Sequence, residues 1–198
     1  IETLLSAEDN SITICCFAPL TNVAMAMIKV PEILPKINRI VMMGGGYFEG
    51  GNITPTAEFN IYVDPHAANT VLRCGRPIAM MPLDVTHRAL MQRKWLEELR
   101  DMGSPVGDAA YGMMSFYERF DLEKYGSSGG PLHDPTVIAY LLKPELFEGR
   151  DVNVEIEIHS ELTMGMTVVD WWNVTDRQPN VIYNNQIKAD GFFQLILD

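Results

Sequence analysis

Two groups of residues in this chain have the types and spacing to do chemistry. The first lies in Val41-Met-Met-Gly-Gly-Gly-Tyr-Phe-Glu-Gly-Gly-Asn-Ile-Thr-Pro-Thr-Ala-Glu-Phe-Asn60, where an apolar run stops at three consecutive glycines and Asn52, Glu58 and Asn60 follow. Amide donors and acceptors beside a carboxylate match the vicinal hydroxyls of a sugar better than they match a phosphate. An extended Glu58-Phe59-Asn60 would place both polar side chains on one side of the chain and Phe59 on the other. The competing reading makes Glu58 and Asn60 simple partners for loop backbone. The second group is His133-Asp134, which Gly126-Ser-Ser-Gly-Gly-Pro131 delivers to the start of a helix with Pro135 in its first turn. Histidine and carboxylate next to a glycine-bracketed segment suit catalytic work at a site that closes. The plain alternative is Asp134 as an ordinary helix cap.

A dinucleotide site is the obvious competitor, because Gly44-x-Gly46 follows a strand-like run. That fingerprint needs a third glycine and an immediate helix, so that phosphate meets a helix N-terminus. Here Glu49 stands where the glycine belongs, and Thr54-Pro55 forbids the helix. No Walker loop is present either.

The elements that must position these groups can be read from apolar periodicity. Ser11 to Phe17 is β-branched and almost continuously apolar, as a strand buried on both faces should be. Thr21 or Asn22 can cap a helix over Val23 to Lys29, and residues 31–37 return the chain to a second strand, Arg39 to Met43. Strand, helix, strand makes a βαβ unit with parallel strands. Asp64-Pro65 opens a helix, Pro77 to Leu83 forms a third strand, and Asp84-Val-Thr-His87 ends it. Two helices follow, Arg93 to Met102 and Asp108 to about Lys124. Met113, Met114, Phe116, Tyr117 and Phe120 are expected to pack the second against the core. A buried helix spans Thr136 to Leu142. Val152 to Ile158, Met164 to Trp171 and Asn180 to Ala189 read as three antiparallel strands, before a last helix from Phe192.

The predicted fold class is therefore α/β: a single domain over residues 1–198, with a doubly wound, mostly parallel, Rossmann-like sheet and a small antiparallel β appendage near the C-terminus. Such sheets bind ligands outside the carboxyl ends of their strands. Four loops occupy that edge, at residues 18–21, 44–60, 84–87 and 126–134, and only the second and fourth carry clustered polar groups of varied type.

A formal net charge of −11 argues against nucleic acid or an anionic membrane as partner, since both require a basic footprint. Cys15, Cys16 and Cys74 offer neither a disulfide framework nor metal-ligand spacing, and read as buried thiols of a reducing compartment. No apolar run reaches the length of a membrane span, and no signal peptide is recognisable.

Taken together, these residues resemble the inosine–uridine-preferring nucleoside hydrolases. Ala18-Pro-Leu-Thr-Asn-Val-Ala24 is similar to that family's Gly-Pro-Leu-Thr-Asn-Ile-Ala. Met43-Gly-Gly-Gly with Asn52, Ala57-Glu-Phe-Asn60 and Asp64-Pro65 resembles its central signature. Leu132-His-Asp-Pro135 is similar to its Val-His-Asp-Pro, and Gly165-Met-Thr-Val168 to its late strand. The resemblance implies hydrolysis of the N-glycosidic bond of ribonucleosides with a bound Ca²⁺. It implies Asp134 and the backbone carbonyl of Phe17 as Ca²⁺ ligands, although Phe departs from the common small polar residue there. It implies Asn52, Glu58 and Asn60 against the ribose, with Met43 beneath it. His133 would face the base, as general acid or as a polarising contact. Tyr125 and Asp121 would belong to a helix that closes over the nucleoside. A cytoplasmic homodimer or homotetramer is implied as well. Base preference stays open, because Glu49-Gly50-Gly51 carries one inserted residue and Asp121 is acidic.

One part of the family pattern is missing. Its first strand carries Asp-x-Asp-x-Gly-x-Asp-Asp, the source of most calcium ligands and of the general base, and no such motif occurs in these 198 residues. The chain opens at Ile1 in what reads as the middle or end of a helix, as a processed product, a cloned fragment or a cleaved chain of such an enzyme would. Taken alone, it is expected to lack a metal site of normal affinity and to be inactive. The alternative is a non-catalytic remnant that binds ribose or serves as part of an oligomer.

Overall fold

The computed structural model describes the backbone of residues 1–125 and 129–198, and the side chains of residues 1–116 and 129–198. In chain order the elements are α1 (Glu2–Leu5), β1 (Ile12–Cys16), α2 (Thr21–Lys29), a 3-10 turn at Pro31–Lys36, β2 (Ile37–Met43), α3 (Phe59–Val63), α4 (Pro65–Leu72), β3 (Ile78–Met81), α5 (Leu83–Thr86) and β4 (Leu90–Met91). Then come α6 (Arg93–Asp101), α7 (Pro105–Tyr125), β5 (Gly130–Pro131), α8 (Pro135–Leu142), a second 3-10 turn at Pro144–Leu146, β6 (Phe147–Val152), β7 (Val154–Ile156), β8 (Thr167–Val169), β9 (Val181–Ile187) and α9 (Ala189–Leu197).

The fold is α/β with a mostly parallel central sheet, in the order β1-β2-β3-β9-β6. The first four strands run parallel, and β6 closes the sheet antiparallel to β9. Successive side chains on a strand point to opposite faces, and here both faces are apolar. Ile40 and Met42 of β2, with Ile78 and Met80 of β3, face a layer that includes Ala24 of α2 and Val71 of α4. Their neighbours Val41, Met43, Ala79 and Met81 face Leu96 of α6, Val137 of α8 and Phe192 of α9. This double cover explains why the central strands read as continuous apolar runs rather than alternating ones.

Several sequence expectations need correction. Thr21 and Asn22 do not cap α2: the cap residue is Leu20, and the Thr21 hydroxyl instead donates to Asp64 Oδ2 at 2.7 Å. Asp64 does cap α4, accepting from the Ala67 amide at 3.0 Å. The third strand stops at Met81, because Pro82 has no N–H to donate and the next amide, Leu83, donates to the Gly45 carbonyl as α5 begins. Among the described residues, the antiparallel appendage pairs β7 with β8 alone. The third expected member, β9, joins the central sheet beside β3, with Tyr183 fully buried and Asn184 Nδ2 donating to the Met80 carbonyl. On α7, Met114 packs on the core, but Met113 and Phe116 are 63% and 61% exposed, so the expected packing stripe is only partly internal. Tyr117 and Phe120 lie outside the described side chains.

Cys16 ends β1 inside the core. Burial, with Cys15 alongside, pushes its thiol up to about 12. Only the thiolate is nucleophilic, so an alkylating reagent at pH 8 should leave Cys16 unmodified in the folded protein and modify it after denaturation. Equal labelling rates in both states would contradict this packing.

Candidate active site

At the carboxyl end of β2 the chain enters the glycine loop under tight steric control. Gly45 has φ +79°, and a Cβ there would lie 2.5 Å from Met80 Cε and 2.8 Å from Thr167 Oγ1. Only glycine satisfies both conditions. The loop returns at Glu58, which is 2% exposed. Its carboxylate accepts from the amides of Gly45 at 2.9 Å, Asn60 at 2.9 Å and Ile61 at 3.3 Å. Glu58 is thus the cap of α3, so residues 58–60 are not the extended segment that alternation suggested. The two polar side chains still reach the same place. Asn60 Nδ2 lies 3.2 Å from the Met43 carbonyl and 3.3 Å from its sulfur, while Glu58 holds Gly45 two residues further on. Asn52 Oδ1 accepts from the Phe59 amide at 2.9 Å. The structure therefore brings Met43, Asn52, Glu58 and Asn60 together at one strand end.

Asp134 approaches the same carboxylate. Burial, the largest effect, raises the Glu58 carboxyl; its amide bonds pull it back, and the nearby Asp134 charge raises it further. Asp134 itself keeps solvent access, yet partial desolvation raises its carboxyl as well. It starts α8 without capping it through its side chain, so the ordinary-cap alternative fails here. Phe17 directly follows β1, one of the strands against which α8 packs, and is 40% exposed. Among the described residues, no three histidine, cysteine, aspartate or glutamate side chains gather as a metal-binding group. Asp121 and Tyr125 fall within α7, but their side chains lie outside the described residues.

His133 is held by Thr86, whose hydroxyl oxygen lies 2.8 Å from Nδ1. The His87 ring stands 5.8 Å away, tilted by 60°. Burial first, and His87 second, lower the His133 pKa to about 4, so the imidazole is neutral near pH 7.

The residues that sequence reasoning missed all follow β3. Asp84, 2% exposed, accepts from the amides of Tyr47 at 2.9 Å, Phe48 at 2.6 Å and Glu49 at 2.9 Å, and from the Tyr183 hydroxyl. His87 Nδ1 lies 3.1 Å from Glu49 Oε2. The only available signal was their position at the ligand-binding edge of the sheet, in a stretch set aside for lacking clustered polar groups.

The steric demand at Gly45 is testable. Gly45→Ala should destabilise the protein by about 1–3 kcal/mol, through a strained positive φ and the clash with Met80 and Thr167. Urea unfolding reads this directly, and an unchanged midpoint would refute the close packing.

Comparison with known proteins follows the same lines. The sequence profile of the family described as inosine-uridine preferring nucleoside hydrolase matches residues 1–194. An uncharacterized protein of Schizosaccharomyces pombe is 46% identical over 198 residues, covering 100% of this chain and 64% of its own length. A pyrimidine-specific ribonucleoside hydrolase of an Enterobacter species is 44% identical over 196 residues, covering 98% of this chain and 62% of its own. Among solved structures, a purine-preferring ribonucleoside hydrolase from Gardnerella vaginalis superposes with a TM-score of 0.89 at 28% identity, over 99% of this chain and 62% of that one. The chain thus spans less than two thirds of the length of these relatives.

Proposed function

The chain belongs to the inosine-uridine preferring nucleoside hydrolase family, and from that membership we propose that the protein it comes from hydrolyses the N-glycosidic bond of ribonucleosides to ribose and free base. The observation that carries this reading is the convergence of Met43, Asn52, Glu58 and Asn60 at the carboxyl end of β2, where the Asp134 charge is felt at Glu58. In this reading those four residues hold the ribose. Departure of the base leaves an oxocarbenium-like sugar, and carboxylate and amide oxygens close to it stabilise the developing positive charge. Three amides occupy most of the Glu58 acceptor sites and so fix the carboxylate rigidly, which is the form preorganised stabilisation takes.

His133 serves the base side as a polarising contact. When the Thr86 hydroxyl donates to Nδ1, the single proton of the neutral ring sits on Nε2 and can be offered to an acceptor on the departing base. Full proton transfer from a neutral imidazole is far less favourable than from an imidazolium, so its burial supports polarisation over outright general acid catalysis. Tyr125 and Asp121, on α7, are the proposed closing contacts over the nucleoside.

The proposed Ca²⁺ would take Asp134 and the Phe17 carbonyl as ligands. Calcium asks for about six to eight oxygens. Two donors do not make that sphere, and the described residues gather no acidic cluster around Asp134. The described residues alone do not fit the ion, so the account of the sugar and base contacts above stands without it. The alternative of a ribose-binding part without catalysis gains no observation of its own.

Pyrimidine ribonucleosides are the proposed preferred substrates, on the strength of the 44%-identical relative named for them, against 28% for the purine-preferring structure. The complete protein should release ribose from uridine or cytidine faster than from inosine, and no release from any of the three would overturn the hydrolase reading. His133→Ala should slow a natural nucleoside at least ~10-fold more than an aryl riboside whose leaving group needs no help. Equal losses on the two would discredit the base-side role. A cytoplasmic homodimer or homotetramer is proposed on family grounds, and light scattering on the purified protein checks the assembly. No described helix is long and apolar enough to cross a membrane.

A further inference from the structure

Asp84 is tied to the glycine loop by a run of backbone amides. Three consecutive amides, those of Tyr47, Phe48 and Glu49, donate to one carboxylate, and the Tyr183 hydroxyl completes its shell. A chain wrapped in this way around an anion takes its shape from that anion. Both partners are anchored. The Leu83 amide, beside Asp84, donates to the Gly45 carbonyl at 2.8 Å, and Arg88 Nε donates to the Asp84 carbonyl at 3.0 Å. Tyr183 is fully buried on β9, and burial together with the Asp84 charge raises its pKa well above the usual phenol value, so it stays a donor. Edge-on aromatic contacts Tyr47–Phe48 (4.7 Å) and Phe48–Trp171 (5.3 Å) seat the same turn from its other side.

The turn so fixed lies between Gly45, which Glu58 holds, and Asn52. The same short element, α5 with His87, grips Glu49 through His87 and His133 through Thr86. One short element therefore touches both the glycine loop and the base-side histidine. We propose that Asp84 is a positioning residue for nucleoside binding: by clamping residues 47–49 it sets the glycine loop so that Asn52 and Glu58 face the ribose. This rests on the hydrolase reading above. A carboxylate is required, because an amide in its place would aim an NH₂ either at the Tyr47 N–H and Tyr183 O–H or at the Phe48 and Glu49 N–H groups.

The test compares wild type, Asp84→Asn and Tyr183→Phe in the complete protein. Asp84→Asn should raise KM for a ribonucleoside at least ~10-fold, the scale of lost charge-assisted hydrogen bonds. The factor should be equal for uridine and for an aryl riboside, since the sugar is common to both, and kcat should fall less than KM rises. Amide hydrogen exchange at residues 47–49 should accelerate. Tyr183→Phe removes one donor of four and keeps the fold should Asp84→Asn not; it should shift KM and exchange the same way, by ~3-fold. If the folded variants exchange faster at 47–49 but keep the wild-type KM, Asp84 is structural only and the proposal falls. Unchanged exchange in Tyr183→Phe would also overturn it. A wild-type protein that releases no ribose would sink the hydrolase reading and the positioning role together, whereas an active wild type with unshifted variants condemns the positioning role alone.

Discussion

A run of glycines has few side chains with which to hold itself, so its shape must be imposed on its backbone amides by groups beyond that run. Two buried carboxylates impose it here. Asp84 takes the amides of Tyr47, Phe48 and Glu49, and Glu58 takes that of Gly45 together with the first turn of α3. A buried carboxylate is costly unless its oxygens are satisfied, and both are satisfied by the groups that the loop would otherwise leave unpaired. Each thus removes the other's penalty, and the candidate site rests on that exchange. Asn52 and Asn60 then have fixed neighbours, the Phe59 amide and Met43 respectively.

The rest of the fold serves to bring these parts to one edge. β2 and β3 run parallel and in register through Met43 and Met81, so the glycine loop and α5 leave the sheet side by side. β9 then places Tyr183 beneath both. Helix α8 crosses β1 and β2 and carries His133 and Asp134 to the same end. Central strands buried on both faces leave little freedom for these ends to shift, because any slip would move apolar side chains out of two packed layers at once.

Much of this was legible in the residues. Continuous apolar runs gave away β1, β2 and β3, Asp64-Pro65 marked α4, and the glycine loop and His133-Asp134 stood out by composition. What stayed hidden involved partners far apart in sequence. Residues 180–189 read as a strand without saying which neighbour it pairs with; in the structure it lies beside β3, with Tyr183 buried against Asp84. Glu58 looked like part of an extended segment because its capping targets, the amides of Asn60 and Ile61, carry no sequence signature beyond their order. Asp84 looked like a lone carboxylate, since all four of its donors lie at least 35 residues away. Met113 and Phe116 looked internal, yet α7 turns them outward.

Under the proposed function, the glycine loop of this chain is the ribose-facing wall of a nucleoside site. The most direct measurement of that claim is a crystal structure of the complete protein with a non-hydrolysable ribonucleoside analogue. The account predicts sugar hydroxyls within hydrogen-bond distance of Asn52, Glu58 and Asn60, above Met43, with the base toward His133. A sugar bound elsewhere, or bound here with its hydroxyls turned away from those three side chains, would contradict it.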